Sequence, residues 1–444
     1  MSRDKTLLIS YLFPPSGGVG VQRAVSYAKY LPAAGSAVSV LTAKNAATAL
    51  RDPSLLGTIP SDVPIYRTLT PEISYDLRQR IWGRIGSGPG KGATQAEAPP
   101  QAPASSPLKS FVRSGIQRLL CPDPQVYWRW TAIPQGEEII RKEGIRNILV
   151  TAPPFSSFEI GIELKKRFPE IRLISEFRDE WLGYYIKSDP NADAYRRKAA
   201  IDLERETISR SDYIVTVTPS WVEAIRSRYP DQPAEKFLCI PNGYDPESFA
   251  QFTPKPHGLV RMVVTYVGTV YSNPVYSPRA FLEALNRLPA EVAQGIETRF
   301  IGRVVDEEAP FMDACRSPIR RFGFLPQSEA FRYLEETDCV LLIVNNRDAH
   351  SGKLFEYLAS GRPILAISPK DGEIARLIRE TQSGWCADPD DPEEIQRMIE
   401  DAYAAFRQGR TDLLPKPDLA KIRQYTRTEL VDQLARLTHI GRYR

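Results

Sequence analysis

Asp348-Ala349-His350-Ser351-Gly352-Lys353-Leu354-Phe355-Glu356-Tyr357-Leu358-Ala359-Ser360-Gly361-Arg362-Pro363-Ile364 lies between two apolar runs, 339–344 and 363–367. Short runs that are apolar throughout read as strands buried on both faces. Ser351-Gly352 opens a helix between them, and Gly361 with Pro363 ends it and starts the next strand. Strand, helix and strand in succession are the unit of a parallel sheet. At the helix start, free N–H groups and Lys353 converge on an anion. Glu356, four residues past Gly352, suits a ribose diol that donates and accepts hydrogen bonds. Leu354, Leu358 and Ala359 read as core, and core and site use different faces of one helix.

The same alternation runs outward in both directions. Strands are expected at 6–12, 37–41, 147–151, 172–176 and 212–217, with helical faces at 21–31 and 158–168. A proline-rich loop at 252–257 interrupts the pattern, which restarts with strands at 261–267, 297–301 and 320–324 and a helix at 278–288. With 444 residues the chain exceeds the size of one hydrophobic core. The expected domains are 1–250, holding an inserted flexible segment at about 86–107, and 251–420. A C-terminal helix, 421–444, is expected to return to the first domain; the helical pattern itself runs from 419 to 437.

Residues 86–107 contain no aromatic or large aliphatic side chain, so they cannot bury enough apolar surface to offset ordering entropy. The flanking stretch 108–120 sets Leu108, Phe111, Val112, Ile116 and Leu119 on one helical face, among Lys109, Arg113 and Arg118. That face either packs on the N-terminal domain or rests peripherally on an anionic membrane.

Bulk properties exclude several classes. A net charge of +4 is too slight for a nucleic-acid partner. The five cysteines include no closely spaced pair, which fits reduced thiols in the cytoplasm. Three histidines argue against a histidine-rich metal centre. No signal-peptide pattern or apolar stretch of about 18 residues is present, so the expectation is a soluble protein or one lying on a membrane face.

Ligands of open α/β sheets bind at the carboxyl ends of the strands. One such loop is Phe13-Pro14-Pro15-Ser16-Gly17-Gly18-Val19-Gly20-Val21-Gln22-Arg23, which reads either as a phosphate loop or as a tight turn. Arg23 stands where a dinucleotide fingerprint has its third glycine. A second is Glu176-Phe177-Arg178-Asp179-Glu180, either a site or a set of salt bridges. Asp388-Pro389-Asp390 has the spacing of a metal-binding acid pair, but Asp390-Asp391-Pro392-Glu393-Glu394 reads better as a helix start, and no metal is expected.

The chain resembles the retaining glycosyltransferases of family 4, which have the GT-B fold: two doubly wound, Rossmann-like α/β domains facing across a cleft. The resemblance rests on Asp348 and Glu356 with Gly361-Arg362-Pro363, on Phe13-Pro14-Pro15 with Gly17-Gly18, and on the hinge-like Pro241-Asn242-Gly243-Tyr244-Asp245. It also covers Val267-Gly268-Thr269 and Phe322-Gly323-Phe324-Leu325, leaving only about 52–121 without a counterpart. It implies transfer of a sugar from a nucleotide-diphosphate sugar to a glycan, lipid-linked or small-molecule acceptor, as in polysaccharide biosynthesis, at the inner face of the cell membrane or free in the cytoplasm.

Carried onto these positions, the resemblance makes Gly17, Gly18, Gly268, Thr269, Arg303, Phe324, Leu325, His350, Ser351, Gly352, Lys353, Leu354 and Glu356 donor-binding. Gly20 and Arg23 become acceptor-binding, and Asp348, Arg178 and Asp179 catalytic. Front-side transfer of a hexosyl group needs neither a protein nucleophile nor a cofactor. The loop 268–273 lacks the cations many relatives carry, leaving Lys353 and Arg303 to meet the diphosphate. Two other readings are a sugar-nucleotide epimerase of the same fold and a non-catalytic nucleotide-binding scaffold.

Overall fold

The computed structural model describes residues 4–46, 48, 50–71, 118–186, 194–255, 260–409 and 414–439. The expected flexible segment 86–107, and 108–117 of the expected membrane-facing helix, lie outside the described residues. The chain divides into two compact units, 1–240 with 431–444, and 241–430.

Unit 1 holds a seven-stranded parallel sheet. Its strands are β1 (Lys5–Ser10), β2 (Ala37–Ala43), β3 (Ile65–Thr68), β4 (Asn147–Ala152), β5 (Arg172–Phe177), β6 (Tyr213–Thr216) and β7 (Phe237–Cys239). The spatial order is β3-β2-β1-β4-β5-β6-β7. Helices α1 (Val19–Tyr30), α2 (Arg129–Glu143), α3 (Ser157–Arg167), α4 (Ala194–Arg210) and α5 (Pro219–Arg228) connect the strands. Helix α2 lies close on α3 because Gly136 carries no side chain; a Cβ there would meet Leu164 at 2.8 Å.

Unit 2 holds a six-stranded parallel sheet of order β10-β9-β8-β11-β12-β13. The strands are β8 (Met262–Val267), β9 (Ile296–Ile301), β10 (Ile319–Gly323), β11 (Cys339–Ile343), β12 (Ile364–Ile367) and β13 (Gly384–Ala387). Its helices are α6 (Arg279–Arg287), α7 (Ala290–Gln294), α8 (Ala309–Asp313), α9 (Gln327–Glu335), α10 (Gly352–Ser360), α11 (Glu373–Thr381), α12 (Pro392–Arg407) and α13 (Leu419–Arg423). Leu341, Ile343, Leu365 and Ile367 enter the core on one face, and Val340, Leu342, Ile364 and Ala366 that on the other. Two covered faces explain why these strands read as unbroken apolar runs.

The terminal helical pattern is two helices, α13 and α14 (Arg427–Thr438), instead of one. The break has a physical cause. The Tyr244 N–H donates to the Tyr425 carbonyl at 3.1 Å, and the Arg427 N–H donates to the Tyr244 carbonyl at 2.8 Å. A passing chain has taken the bonds a continuous helix would need. Only glycine fits at 243, where a Cβ would stand 2.4 Å from the Tyr425 carbonyl oxygen.

Together these two doubly wound parallel sheets make a GT-B fold.

Candidate functional site

In unit 2 the strand order reverses between β8 and β11: the chain leaves β8 towards β9 and β10, and leaves β11 towards β12 and β13. The loops at the carboxyl ends of these neighbours therefore part and open a crevice, the switch point at which such sheets bind ligands. They are tied at their bases by the Asn345 N–H, which donates to the Val275 carbonyl at 2.8 Å. Further along, the Arg347 carbonyl accepts the Glu373 N–H at 2.8 Å, and the Asn346 side chain accepts the Asp348 N–H at 2.9 Å. Asp348 is thus held, exposed, at the tip.

Helix α10 starts in this crevice. Its N-cap, Ser351, is extended, with φ −90° and ψ 152°. The buried Ser351 hydroxyl has no hydrogen-bond partner among the described residues. The amides of Gly352 and Lys353 donate to no backbone carbonyl there either. Orphan N–H groups, an unsatisfied hydroxyl and the positive end of the helix make a setting for an anion.

The Lys353 ammonium joins them. It donates to the Tyr266 hydroxyl at 2.8 Å and lies 4.2 Å from the centroid of the Tyr266 ring. It reaches this place because position 268 is glycine: at φ +128°, a Cβ on Gly268 would fall 2.6 Å from Lys353 Nζ. Gly302, at φ +138°, admits the Gly268 carbonyl oxygen, which a Cβ would meet at 2.3 Å. The Gly302 N–H donates to the Gly323 carbonyl at 2.7 Å. Bare backbone thus runs across the ends of β8, β9 and β10.

One turn along α10, Glu356 accepts a bond from the Gln327 amide at 3.2 Å. Burial pushes its carboxyl above the usual value, against the opposing pull of Arg427, the Gln327 bond and Lys353. Beside Gln327, Phe324 is 74% exposed and Leu325 half-buried. The expected donor residues Gly268, Thr269, Arg303, Phe324, Leu325, Ser351, Gly352, Lys353 and Glu356 all sit just past strand ends of this sheet or at the start of α10.

Leu354 and His350 do not present their side chains in the same way. Leu354 is fully buried in the core, and its N–H already donates to the Ser351 carbonyl at 3.2 Å. His350 is buried with its ring edge-on to Phe355, centroids 4.9 Å apart. Sequence reasoning passed over Tyr266, Gly302 and Gln327. Tyr266 is 1% exposed in an apolar strand, so nothing in the pattern separates it from core.

In unit 1 the glycine loop is a turn with its amides partly used: the Gly17 N–H donates to the Leu50 carbonyl at 2.9 Å, and Gly18, at φ +93°, caps α1. Arg23 is buried on Glu176, with 2.8 Å between Nη2 and Oε1, and also donates to the Ile240 carbonyl at 2.7 Å. Thr151 donates to the same carboxylate at 2.6 Å, as does Tyr27. Burial alone pushes the Glu176 carboxyl up, but Arg23 and the hydroxyls bring it net below the usual range. The Arg23 guanidinium, expected to meet an acceptor, is therefore enclosed in the fold.

Arg178 ties three backbone carbonyls: Gly20, Pro153 at 2.7 Å and Ala152 at 3.2 Å. Glu180, 3% exposed, lies 2.7 Å from Arg228. Asp179 stands between these engaged residues as a partly buried carboxylate that accepts no hydrogen bond among the described residues. Burial pushes it up, opposed by Arg178. Of this acid–base run, Glu176 and Arg178 are spent on the fold and Glu180 is ion-paired to Arg228, which leaves Asp179 as the partly exposed carboxylate.

The acid pair near 388 serves the start of α12. Asp391 accepts the Glu394 N–H at 2.9 Å, Glu394 accepts the Asp388 N–H at 3.0 Å, and Pro392 fills the first turn. Among the described residues no group of three or more potential ligands is positioned for a metal ion, and no helix is long and apolar enough to cross a membrane.

Residues 261–405 match the family model "Glycosyl transferases group 1". The Pseudomonas aeruginosa protein "Probable glycosyltransferase WbjE" is 35% identical over 92 residues, which is 20% of this chain and 23% of that protein. The chain thus spans about a quarter of that relative's length in the match. Among solved structures, sucrose-phosphate synthase from Thermosynechococcus elongatus superposes with a TM-score of 0.58 at 14% identity, covering 98% of each chain. HepE of Anabaena, solved in complex with UDP and glucose, gives 0.59 at 12% identity, covering 97% of this chain and 98% of that one. These likenesses carry the fold; the family match carries the link to glycosyl transfer for the part of unit 2 that it covers.

Proposed function

We propose that this protein is a retaining glycosyltransferase of family 4 that takes a hexosyl group from a nucleotide-diphosphate sugar without a metal ion. The observation that carries the reading is the Lys353 ammonium, set against glycine backbone at the end of β8 beside the open N-terminus of α10.

When the bond from sugar to diphosphate breaks, negative charge grows on the leaving phosphate. Lys353 and the amides of Gly352 and Lys353 are fixed donors for that charge, so no reorganisation is needed as it develops. Glu356 takes the ribose hydroxyls, and its partner Gln327 with the exposed Phe324 borders the base. Asp348 orients hydroxyls of the donor sugar. With no nucleophile required, the leaving oxygen takes the acceptor proton on the same face of the sugar.

The acceptor side is assigned to the strand ends of unit 1, with Asp179 as its polar contact and Arg178 as the clamp that holds the Gly20, Ala152 and Pro153 carbonyls in place. The acceptor is a glycan, a lipid-linked sugar or a small alcohol. The work is placed in the cytoplasm or on its membrane face.

Incubating the protein with a panel of sugar nucleotides and acceptors, with and without a chelator, tests this reading. The expected product keeps the donor's anomeric configuration by NMR and forms equally well with chelator. Donor isomerised in the absence of acceptor, an inverted product, or loss of activity on chelation would each overturn it.

A further inference from the structure

The loop after β8, Gly268-Thr269-Val270-Tyr271-Ser272-Asn273, contains no cation, so Lys353 has to reach over from α10. A lysine on a four-carbon stem loses considerable rotamer freedom when it is held in one place. The structure contains a group that meets this cost in advance, and it is a residue with the look of plain core.

Tyr266 ends in β8 with its ring buried against Phe300, centroids 5.7 Å apart. Its hydroxyl emerges at the strand end and is used twice. It accepts from the Lys353 ammonium at 2.8 Å and donates to the Thr269 carbonyl at 3.0 Å. The Val270 N–H donates to the Arg303 carbonyl at 2.8 Å, so the peptide from Thr269 to Val270 is fixed at both ends. On its other side, the Thr269 N–H donates to no backbone carbonyl among the described residues. One hydroxyl therefore sets both a cation and a loop carbonyl. An ammonium has three donors, and the bond to Tyr266 leaves two for a ligand.

We propose that Tyr266 is a positioning residue for the donor diphosphate: it holds the Lys353 ammonium and the Thr269 peptide in the places from which they meet the phosphate oxygens. This rests on the reading of Lys353 as a phosphate-binding group. Tyr266 touches no reacting atom and acts through its two partners.

Tyr266→Phe removes the hydroxyl and keeps the ring in the core. Tyr357→Phe is the control, because the Tyr357 hydroxyl accepts the Val267 N–H of the same strand at 2.8 Å, while the Lys353 ammonium bonds to Tyr266 instead. The readout is the rate of acetylation of Lys353 by limiting acetic anhydride, measured by peptide mass spectrometry against the exposed Lys421. Beside it, UDP, GDP and ADP and their nucleosides are titrated by calorimetry into the full-length chain.

Tyr266→Phe is expected to speed Lys353 acetylation by about fivefold, as loss of one ordinary hydrogen bond implies. It should weaken the preferred nucleoside diphosphate by a similar factor, leave the nucleoside within twofold, and find Tyr357→Phe at the wild-type acetylation rate. Unchanged acetylation in Tyr266→Phe overturns the tether and leaves the phosphate site standing. Equal acceleration in both variants overturns it as general loosening of the strand end. Faster acetylation in Tyr266→Phe alone, with no diphosphate bound by the wild type, removes the phosphate role of Lys353 and the proposal with it.

Discussion

At the scale of single residues, Glu176 of unit 1 and Glu356 of unit 2 hold their charges in opposite ways. Glu176 is enclosed by Arg23, Thr151 and Tyr27, every donor aimed at one carboxylate. Breaking such a pair leaves a buried charge alone and costs about 3–5 kcal/mol. Its carboxyl titrates below the ordinary 4.5, so its contribution to stability is present above that pH and is lost as pH falls through the lowered value. Urea unfolding should therefore find Glu176→Gln much less stable than wild type at pH 7, with the gap narrowing under acid. A gap that is constant with pH would show that the carboxylate is not the source. Glu356 behaves in reverse. Burial holds its carboxyl up, so the ionised form costs the fold something at neutral pH. Glu356→Gln is expected to melt no lower than wild type while binding donor more weakly, and unchanged donor affinity would remove Glu356 from the site.

At the scale of elements, glycines decide where backbone can approach backbone. Gly302→Ala would set a Cβ 2.3 Å from the Gly268 carbonyl in a conformation that L side chains rarely adopt, so β8 and β9 have to part at their ends. A loss of about 2–4 kcal/mol, from strain and steric overlap, should appear in unfolding experiments together with weakened diphosphate binding. Wild-type stability would mean that the strand ends are looser than described. The site helix was legible because its start, stop and charged residue occupy seventeen consecutive positions bounded by two apolar runs. Edge strands were harder to see. Ile65–Thr68, Phe237–Cys239 and Gly384–Ala387 have four, three and four residues. A run that short has too few positions to establish a period. Helix α2 carries Pro134 within it, and the gap between α13 and α14 comes from Tyr244, far away in sequence. No local pattern could have announced that gap. Tyr266 and Gln327 were missed for a related reason, since their roles are set by partners 87 and 29 residues distant.

At the scale of the whole molecule, each unit has its own sheet and core, and the chain passes between them twice, after Ile240 and after Leu430. Residues 86–107 contribute no large apolar side chain to either core. Their deletion should leave the melting temperature within about 2 °C of wild type, which for a chain of this size is roughly 2 kcal/mol or less. A larger drop would reveal packing that their composition does not suggest. The most direct test of the account is the calorimetric titration of nucleoside diphosphates and nucleosides into wild type and Lys353→Ala. Loss of a charge-assisted bond predicts that the variant binds its diphosphate about 10- to 100-fold more weakly, with nucleoside affinity nearly unchanged. Equal weakening of both ligands, or no change in either, would contradict it.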